Sequence, residues 1–290
     1  MKSAAFEYHA PETVADVSLL LAEHGDDAKL LAGGQSLVPL LAMRLTRFPH
    51  IVDLNRVAEL RGVERQNGTL TIKAMTRQSD AEHDATVAAA APLIAQALPM
   101  IGHFQIRNRG TVGGSIAHAD PASELPAVAL ALDAELEAAR AGSTRRIPAA
   151  EFFEGTWTTT LEPEELLTAV HVPVWEGRCG FVVDEVARRS GDFALAGVVC
   201  AVELNEAGAV RRSAIGLFGM GSTPVRARDA EAALNGSTPT ATELAEVARL
   251  AAAGCSPTDD VHASAEYRTH VGAHLVQRAL DRALGEARSG

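Results

Sequence analysis

The strongest constraint on this chain is a pair of glycine doublets far apart in sequence. In the stretch Arg107 to Glu124, Thr111, Gly113, Gly114 and Ser115 set a hydroxyl, bare backbone and a second hydroxyl within five consecutive positions. Bare backbone admits close approach of a phosphate, and a concave run of amides attracts an anion. The second doublet lies upstream, where Ala32-Gly33-Gly34-Gln35-Ser36-Leu37 follows Lys29-Leu30-Leu31 and precedes the helical pattern Leu37 to Leu45. Its order is strand, glycine turn, helix start, with Ser36 at the expected N-cap, so orphan amides and the helix dipole would face one anion. The dinucleotide pattern Gly-x-Gly-x-x-Gly is absent, and a Gly-Gly bend taken alone is more often just a turn. Two such bends together read as a cradle for a diphosphate.

Around them the chain alternates helix and strand. Val14, Val17, Leu20 and Leu21 recur at helical spacing before Gly25, with Thr13 or Glu12 as the opening residue. Strands are expected at 28–32, 51–54, 68–74, 134–138 and 165–173, and helices at 79–96, interrupted at Pro92, and 125–132. Beyond Gly177 three strands, 180–187, 194–204 and 209–217, follow one another with turn signals at Ser190-Gly191-Asp192 and Asn205 to Gly208. Helices are expected over 225–234, 240–253 and 263–283. The fold class is therefore α+β, with a domain at 1–177, divided at about residue 55, and a second at 178–290 built from a three-stranded antiparallel sheet and a helical bundle.

Composition narrows the function. A net charge of −11 repels a phosphate backbone, and the arginine pairs lack interleaved aromatics, so no nucleic-acid partner is expected. No apolar run reaches the length of a membrane span, and the start lacks the pattern of a secretion signal, which makes the cytoplasm the expected address. Cys179, Cys200 and Cys255 are scattered with no Cys-x-x-Cys pair, so neither an iron-sulfur cluster nor a metal site is expected in this chain. Three reduced, mostly buried thiols are expected instead.

Ala32 to Leu37, Gln105 to Ser115 and Arg188-Arg189-Ser190-Gly191-Asp192-Phe193-Ala194-Leu195-Ala196 resemble the FAD-binding medium subunit of molybdenum hydroxylases, the carbon monoxide dehydrogenase and xanthine dehydrogenase family. The resemblance spans essentially the whole chain. It implies a two-subdomain FAD-binding domain of the vanillyl-alcohol-oxidase (PCMH) type, with FAD held noncovalently. It also implies partners: a small subunit with two [2Fe-2S] clusters and a large subunit with a molybdopterin cofactor, as a dimer of heterotrimers. On it, Ala32, Gly33, Gly34, Gln35, Ser36 and Leu37 would surround the diphosphate, and Thr111, Gly113, Gly114 and Ser115 the same group and the ribityl chain. Ile101, Gly102 and Glu124 would line the flavin site, Leu161, Asp184 and Glu185 would lie near the isoalloxazine, and Phe193 would pack on the ring. Gln35 stands where several carbon monoxide dehydrogenases have histidine, which argues against carbon monoxide as substrate.

The residues taken singly leave blander roles open: Asp184, Glu185, Arg188 and Arg189 as solvated strand ends, Asp120-Pro121 as a turn, Phe193 as core. Two other functions also stand beside electron transfer. A self-sufficient FAD-dependent oxidase or dehydrogenase would need its own substrate pocket and a general base, and a non-enzymic interaction subunit would have lost FAD.

Overall fold

A computed structural model describes residues 2–290. The N-terminal strands β1 (Glu7–His9), β2 (Ala28–Leu31) and β3 (His50–Asp53) form a parallel sheet in the order β1-β3-β2. Helix α1 (Val14–His24) connects the first two strands. Thr13 caps it by accepting from the Asp16 amide at 3.1 Å, and Gly25, at φ +49°, ends it. Val17 and Leu21 of α1 pack with Val52 and Leu54 in a small cluster that also takes in Met75, Ala139 and Leu166. Helix α2 (Leu37–Met43) links β2 to β3.

A five-stranded sheet follows, in the order β4-β5-β10-β6-β7, from β4 (Val63–Gln66), β5 (Thr69–Lys73), β6 (Glu135–Arg140), β7 (Ser143–Pro148) and β10 (Leu166–Pro173). Strand β7 was not expected. Its run Ser-Thr-Arg-Arg-Ile-Pro lacks alternating apolar residues because it lies at the sheet edge with only Ile147 buried. The helix expected over 79–96 is three short ones, α3 (Gln78–Glu82), α4 (Ala85–Ala90) and α5 (Pro92–Ala97). Asp84 makes the first break by accepting from the Thr86 and Val87 amides, and Pro92 opens the third. Helices α6 (Phe104–Arg107), α7 (Val112–His118), α8 (Glu124–Ala131) and α9 (Ala149–Phe152) fill the connections, and β8 (Phe153–Gly155) pairs with β9 (Thr158–Thr159).

The last sheet is antiparallel: β11 (Arg178–Ala187), β12 (Ala194–Leu204), β13 (Val210–Phe218) and β14 (Val225–Arg226). It has four strands rather than three. Residues 225–226 pair with β13, and the helix expected from Val225 starts later, as α10 (Arg228–Leu234). The reason is Arg226, whose guanidinium donates to the Leu130 and Ala131 carbonyls at 2.8 and 2.7 Å, closing the C-terminal turn of α8, and pairs with buried Glu231. Every residue of β12 is buried, as a strand covered on both faces requires. Val198, Cys200 and Val202 face α10, α11 (Ala241–Ala253) and α12 (Ala265–Ser289), while Val199 and Ala201 face the core shared with α5 and α8. Helix α8 is buried along all eight residues and lies within that shared core, so it fixes the five-stranded and four-stranded sheets to one another. The three cysteines are free, but only Cys200 is buried; Cys179 and Cys255 are half-buried, with burial pushing both thiols up to about 11.

Candidate functional site: two glycine bends and a carboxyl-lined wall

The chain leaves β2 through Ala32 and Gly33 and turns at Gly34, whose φ of +73° is a left-handed conformation that glycine adopts without strain. Gln35 Nε2 donates to the Gly33 carbonyl at 3.1 Å and tightens the bend. Ser36 precedes α2 but lies in the right-handed helical region and makes no side-chain cap, so the N-cap expected there is not formed. The amides of Gly33 through Leu37 donate to no acceptor among the described residues. An unpartnered run of N–H groups is half of an anion site.

The second bend is organised differently. Thr111, with extended backbone, caps α7 by accepting from the Gly114 amide at 3.0 Å. The Val112 amide donates to the Thr76 carbonyl at 3.0 Å, Gly113 to Ala74 at 2.9 Å, and Ser115 to Thr111 at 3.1 Å. Four successive amides are therefore satisfied by the chain itself. A Cβ on Gly113 would stand 2.5 Å from the Ala74 side chain, and one on Gly114 would stand 2.6 Å from Thr111 Oγ1. These glycines let α7 sit on β5. What this bend leaves for a ligand is hydroxyls, since Ser115 Oγ has no partner among the described residues.

The bends meet. A Cβ on Gly33 would collide with the Arg109 carbonyl and stand 2.7 Å from Gly110 Cα, while Gly114 faces Ala32. Two side chains that the sequence did not single out tie them together. Asn55 Nδ2 donates to the Ala32 carbonyl at 3.1 Å, and Arg77 donates to Asn55 Oδ1 at 2.6 Å and to the Arg109 carbonyl. Burial, then the neighbouring charges of Arg109 and Arg61, hold the Arg77 guanidinium below its ordinary value.

A further wall is built from distant segments. Arg107, paired with Glu82 at 2.6 Å, donates to the Ile101 and Gly102 carbonyls at 3.1 and 3.3 Å and holds that turn. Gly191 packs against Gly102 and the His103 ring, bringing the Ser190 to Phe193 loop beside it. Phe193 is 61% exposed, so it is not core. Leu161 is half-buried against the shared core.

Behind the wall lie acidic groups. Glu124 is buried in the first turn of α8, and burial pushes its carboxyl up to about 8, with Glu185 and Asp120 adding to the rise. Glu185 is pushed up to about 7 by burial, aided by Asp184, and its Oε2 is buried without a hydrogen-bond partner. Asp184 and Glu185 are adjacent on β11 and so point to opposite faces. Glu185 turns toward Glu124, whereas Asp184 turns to α12 and pairs with Arg278 at 2.7 Å and Arg282 at 3.8 Å. Asp120 accepts from the Ala122 amide at 2.9 Å and from Trp157 Nε1 at 3.1 Å, the geometry of a turn that starts α8.

A cradle of converging bends, a carboxyl-lined wall and a helix-backed terminal sheet together define a class of flavoprotein, and both parts of the chain match it. Residues 4–175 match the FAD binding domain in molybdopterin dehydrogenase, and residues 182–283 match the CO dehydrogenase flavoprotein C-terminal domain. The chain belongs to this family: it is an FAD-binding medium subunit of the carbon monoxide dehydrogenase-like molybdenum hydroxylases, and thus part of an oxidoreductase. It is 42% identical to the 6-hydroxypseudooxynicotine dehydrogenase complex subunit alpha of Paenarthrobacter nicotinovorans, over 99% of this chain and 97% of that one. With the carbon monoxide dehydrogenase medium chain of Hydrogenophaga pseudoflava it shares 38% identity over 96% of each chain. The solved carbon monoxide dehydrogenase from that organism superposes with a TM-score of 0.96 over 99% of both chains, and quinoline 2-oxidoreductase from Pseudomonas putida 86 with 0.94 at 34% identity over 99% of both. No described helix is long and apolar enough to cross a membrane.

Proposed function

We propose that this chain is the electron-transfer subunit of a heterotrimer, standing between the [2Fe-2S] clusters of a small subunit and an external acceptor. Substrate would be oxidised at the molybdopterin of a large subunit, and two such trimers would pair. The flavin domain would be residues 1–177, in parts divided at about residue 55, and the terminal domain 178–290. When bound, FAD supplies a two-electron store that releases electrons singly or in pairs.

The observation that carries this reading is the unpartnered amide run Gly33 to Leu37 set against a second bend that presents hydroxyls. These residues fit a noncovalent diphosphate. The amides would hold its charge, and Thr111 and Ser115 would face the same group and the ribityl chain, with Ala32 and Gln35 completing the bend. Arg77 and Asn55 would not touch the cofactor; they hold the bends in register. Ile101, Gly102, Leu161 and Phe193 would exclude water from the ring. Glu185 Oε2 is a buried acceptor that a bound group would satisfy, and Glu124, held neutral at pH 7 by burial, keeps a proton close by. Asp184, engaged with Arg278, would act on the site through the backbone of β11 alone.

The visible spectrum of the purified chain, with FAD released by acid and quantified, tests the reading. One FAD per chain, left unbleached by organic substrates until the partner subunits are added, is the expected result. Bleaching of the isolated chain by substrate would establish a self-sufficient dehydrogenase, and a colourless chain that takes up no added FAD would establish an interaction subunit.

A further inference from the structure

At the edge of the N-terminal sheet, away from the glycine bends, three histidines from three different elements converge. His9 ends β1, His24 ends α1 and His50 opens β3. The fold brings them there in two ways. Glu7 lies opposite His50 in the parallel register, and His9, two residues on from Glu7, shares its face of the sheet. His24 continues the helical stripe of Val17 and Leu21, the residues that pack on Val52 of the same strand as His50. The buried seam between α1 and the sheet therefore ends in imidazoles where the same positions further in carry valine and leucine. His50 opposes Ala28, the first residue of β2, whereas the cradle begins past Leu31 at the other end of that strand, about 10 Å along it.

We propose that His9, His24 and His50 form a binding site for a divalent transition-metal ion, with Glu7 as fourth ligand. One nitrogen from each ring can be chosen so that all three lie within 4.8 Å of one another, and the three residues are half-buried. His9 Nε2 stands 3.1 Å from His50 Nδ1, and Glu7 Oε2 stands 3.4 Å from that same Nδ1. Two ligands on a tetrahedral zinc ion at the usual Zn–N length lie about 3.3 Å apart, so these separations already match the edges of such a site. The His24 ring stacks on His50 with centroids 3.8 Å apart and planes 8° from parallel, and its nitrogen already belongs to the cluster. Three imidazoles and a carboxylate suit zinc, copper(II) or nickel(II) and do not suit magnesium or calcium, which take oxygen ligands. All four ligands come from the chain, which makes the site structural: it clips the three-residue strand β1 and the end of α1 to β3.

The test uses tag-free full-length chain stripped with chelator and titrated with Zn²⁺ by calorimetry and with Co²⁺ as a visible reporter. One ion per chain, an intense Co²⁺ band of tetrahedral type, and a melting temperature raised by Zn²⁺ are expected. His24→Gln and His9→Gln should each weaken Zn²⁺ binding by roughly 100-fold or more, while His83→Gln, outside the cluster, leaves it unchanged. Should either ligand variant fail to fold, X-ray absorption on the zinc-loaded wild-type chain decides, with three imidazole ligands expected. Absence of a tetrahedral Co²⁺ band at one equivalent, fewer than three imidazoles at zinc, or undiminished binding in both ligand variants would overturn the proposal. FAD content reports on the cradle and is read separately, so loss of one site does not mimic loss of the other.

Discussion

The two glycine bends look alike in sequence and differ in what their backbone groups do. At 33–37 five amides have no acceptor among the described residues, whereas at 112–115 each amide is satisfied by Thr76, Ala74 or Thr111. Glycine serves the first bend by allowing a left-handed turn at Gly34 and close contact with the Arg109 to Gly110 backbone at Gly33. It serves the second by allowing α7 to rest on Ala74. A glycine doublet thus marks close approach of backbone to something, and only the accounting of N–H groups distinguishes a ligand from a neighbouring strand.

The largest expected effect comes from breaking the tie between the bends. Arg77→Ala leaves the Asn55 and Arg109 oxygens without their donor, which should cost about 2–3 kcal/mol of stability and strip FAD on gel filtration. FAD retained at wild-type level would show that the bends hold their register without Arg77. Next is Gly113→Ala, whose methyl group meets Ala74; overpacking of this kind costs about 1–3 kcal/mol. Because that glycine serves packing, denaturant midpoints should fall equally with and without FAD, while Gly33→Ala, which forces the bends apart, should lower FAD affinity more than it lowers the stability of the FAD-free chain. Equal behaviour of the two variants would erase the distinction.

The two carboxyls behind the wall extend the same accounting from amides to protons. Glu124 and Glu185 stand near 8 and 7 in the folded chain, above the ordinary 4.5. The folded state therefore holds more protons than the unfolded, and the stability they contribute is fully present below about pH 4.5 and lost as pH rises through 7 and 8. Melting curves of the FAD-free chain should show this decline, at a slope of up to about 1.4 kcal/mol per pH unit for each group, and Glu124→Gln should flatten its upper part. The smallest effect on stability is expected of Thr111→Val, about 1 kcal/mol from the lost cap in the FAD-free chain.

Much of this was legible in the sequence for local reasons. Thr13 caps α1 because a hydroxyl before a helical pattern finds the third amide, and β12 reads as a strand from its unbroken small and branched apolar run. What stayed hidden depends on long-range contact. Asn55, just after β3, and Arg77, just before α3, are single polar residues, and nothing local reveals that they meet across the bends. Strand alternation separates Asp184 from Glu185, which adjacency in the sequence had joined. Strand β7 lacks an alternating pattern because an edge strand buries little. His9, His24 and His50 carry no spacing motif, since a sheet register and a helix end bring them together.

Residue-resolved amide hydrogen exchange on the FAD-free chain, repeated after FAD is added, addresses the central claim most directly. Rapid exchange at Gly33 to Leu37 that slows strongly with FAD, beside amides 112–115 that are protected in both states, is the predicted result. Protection gained at 112–115 with no change at 33–37 would contradict it.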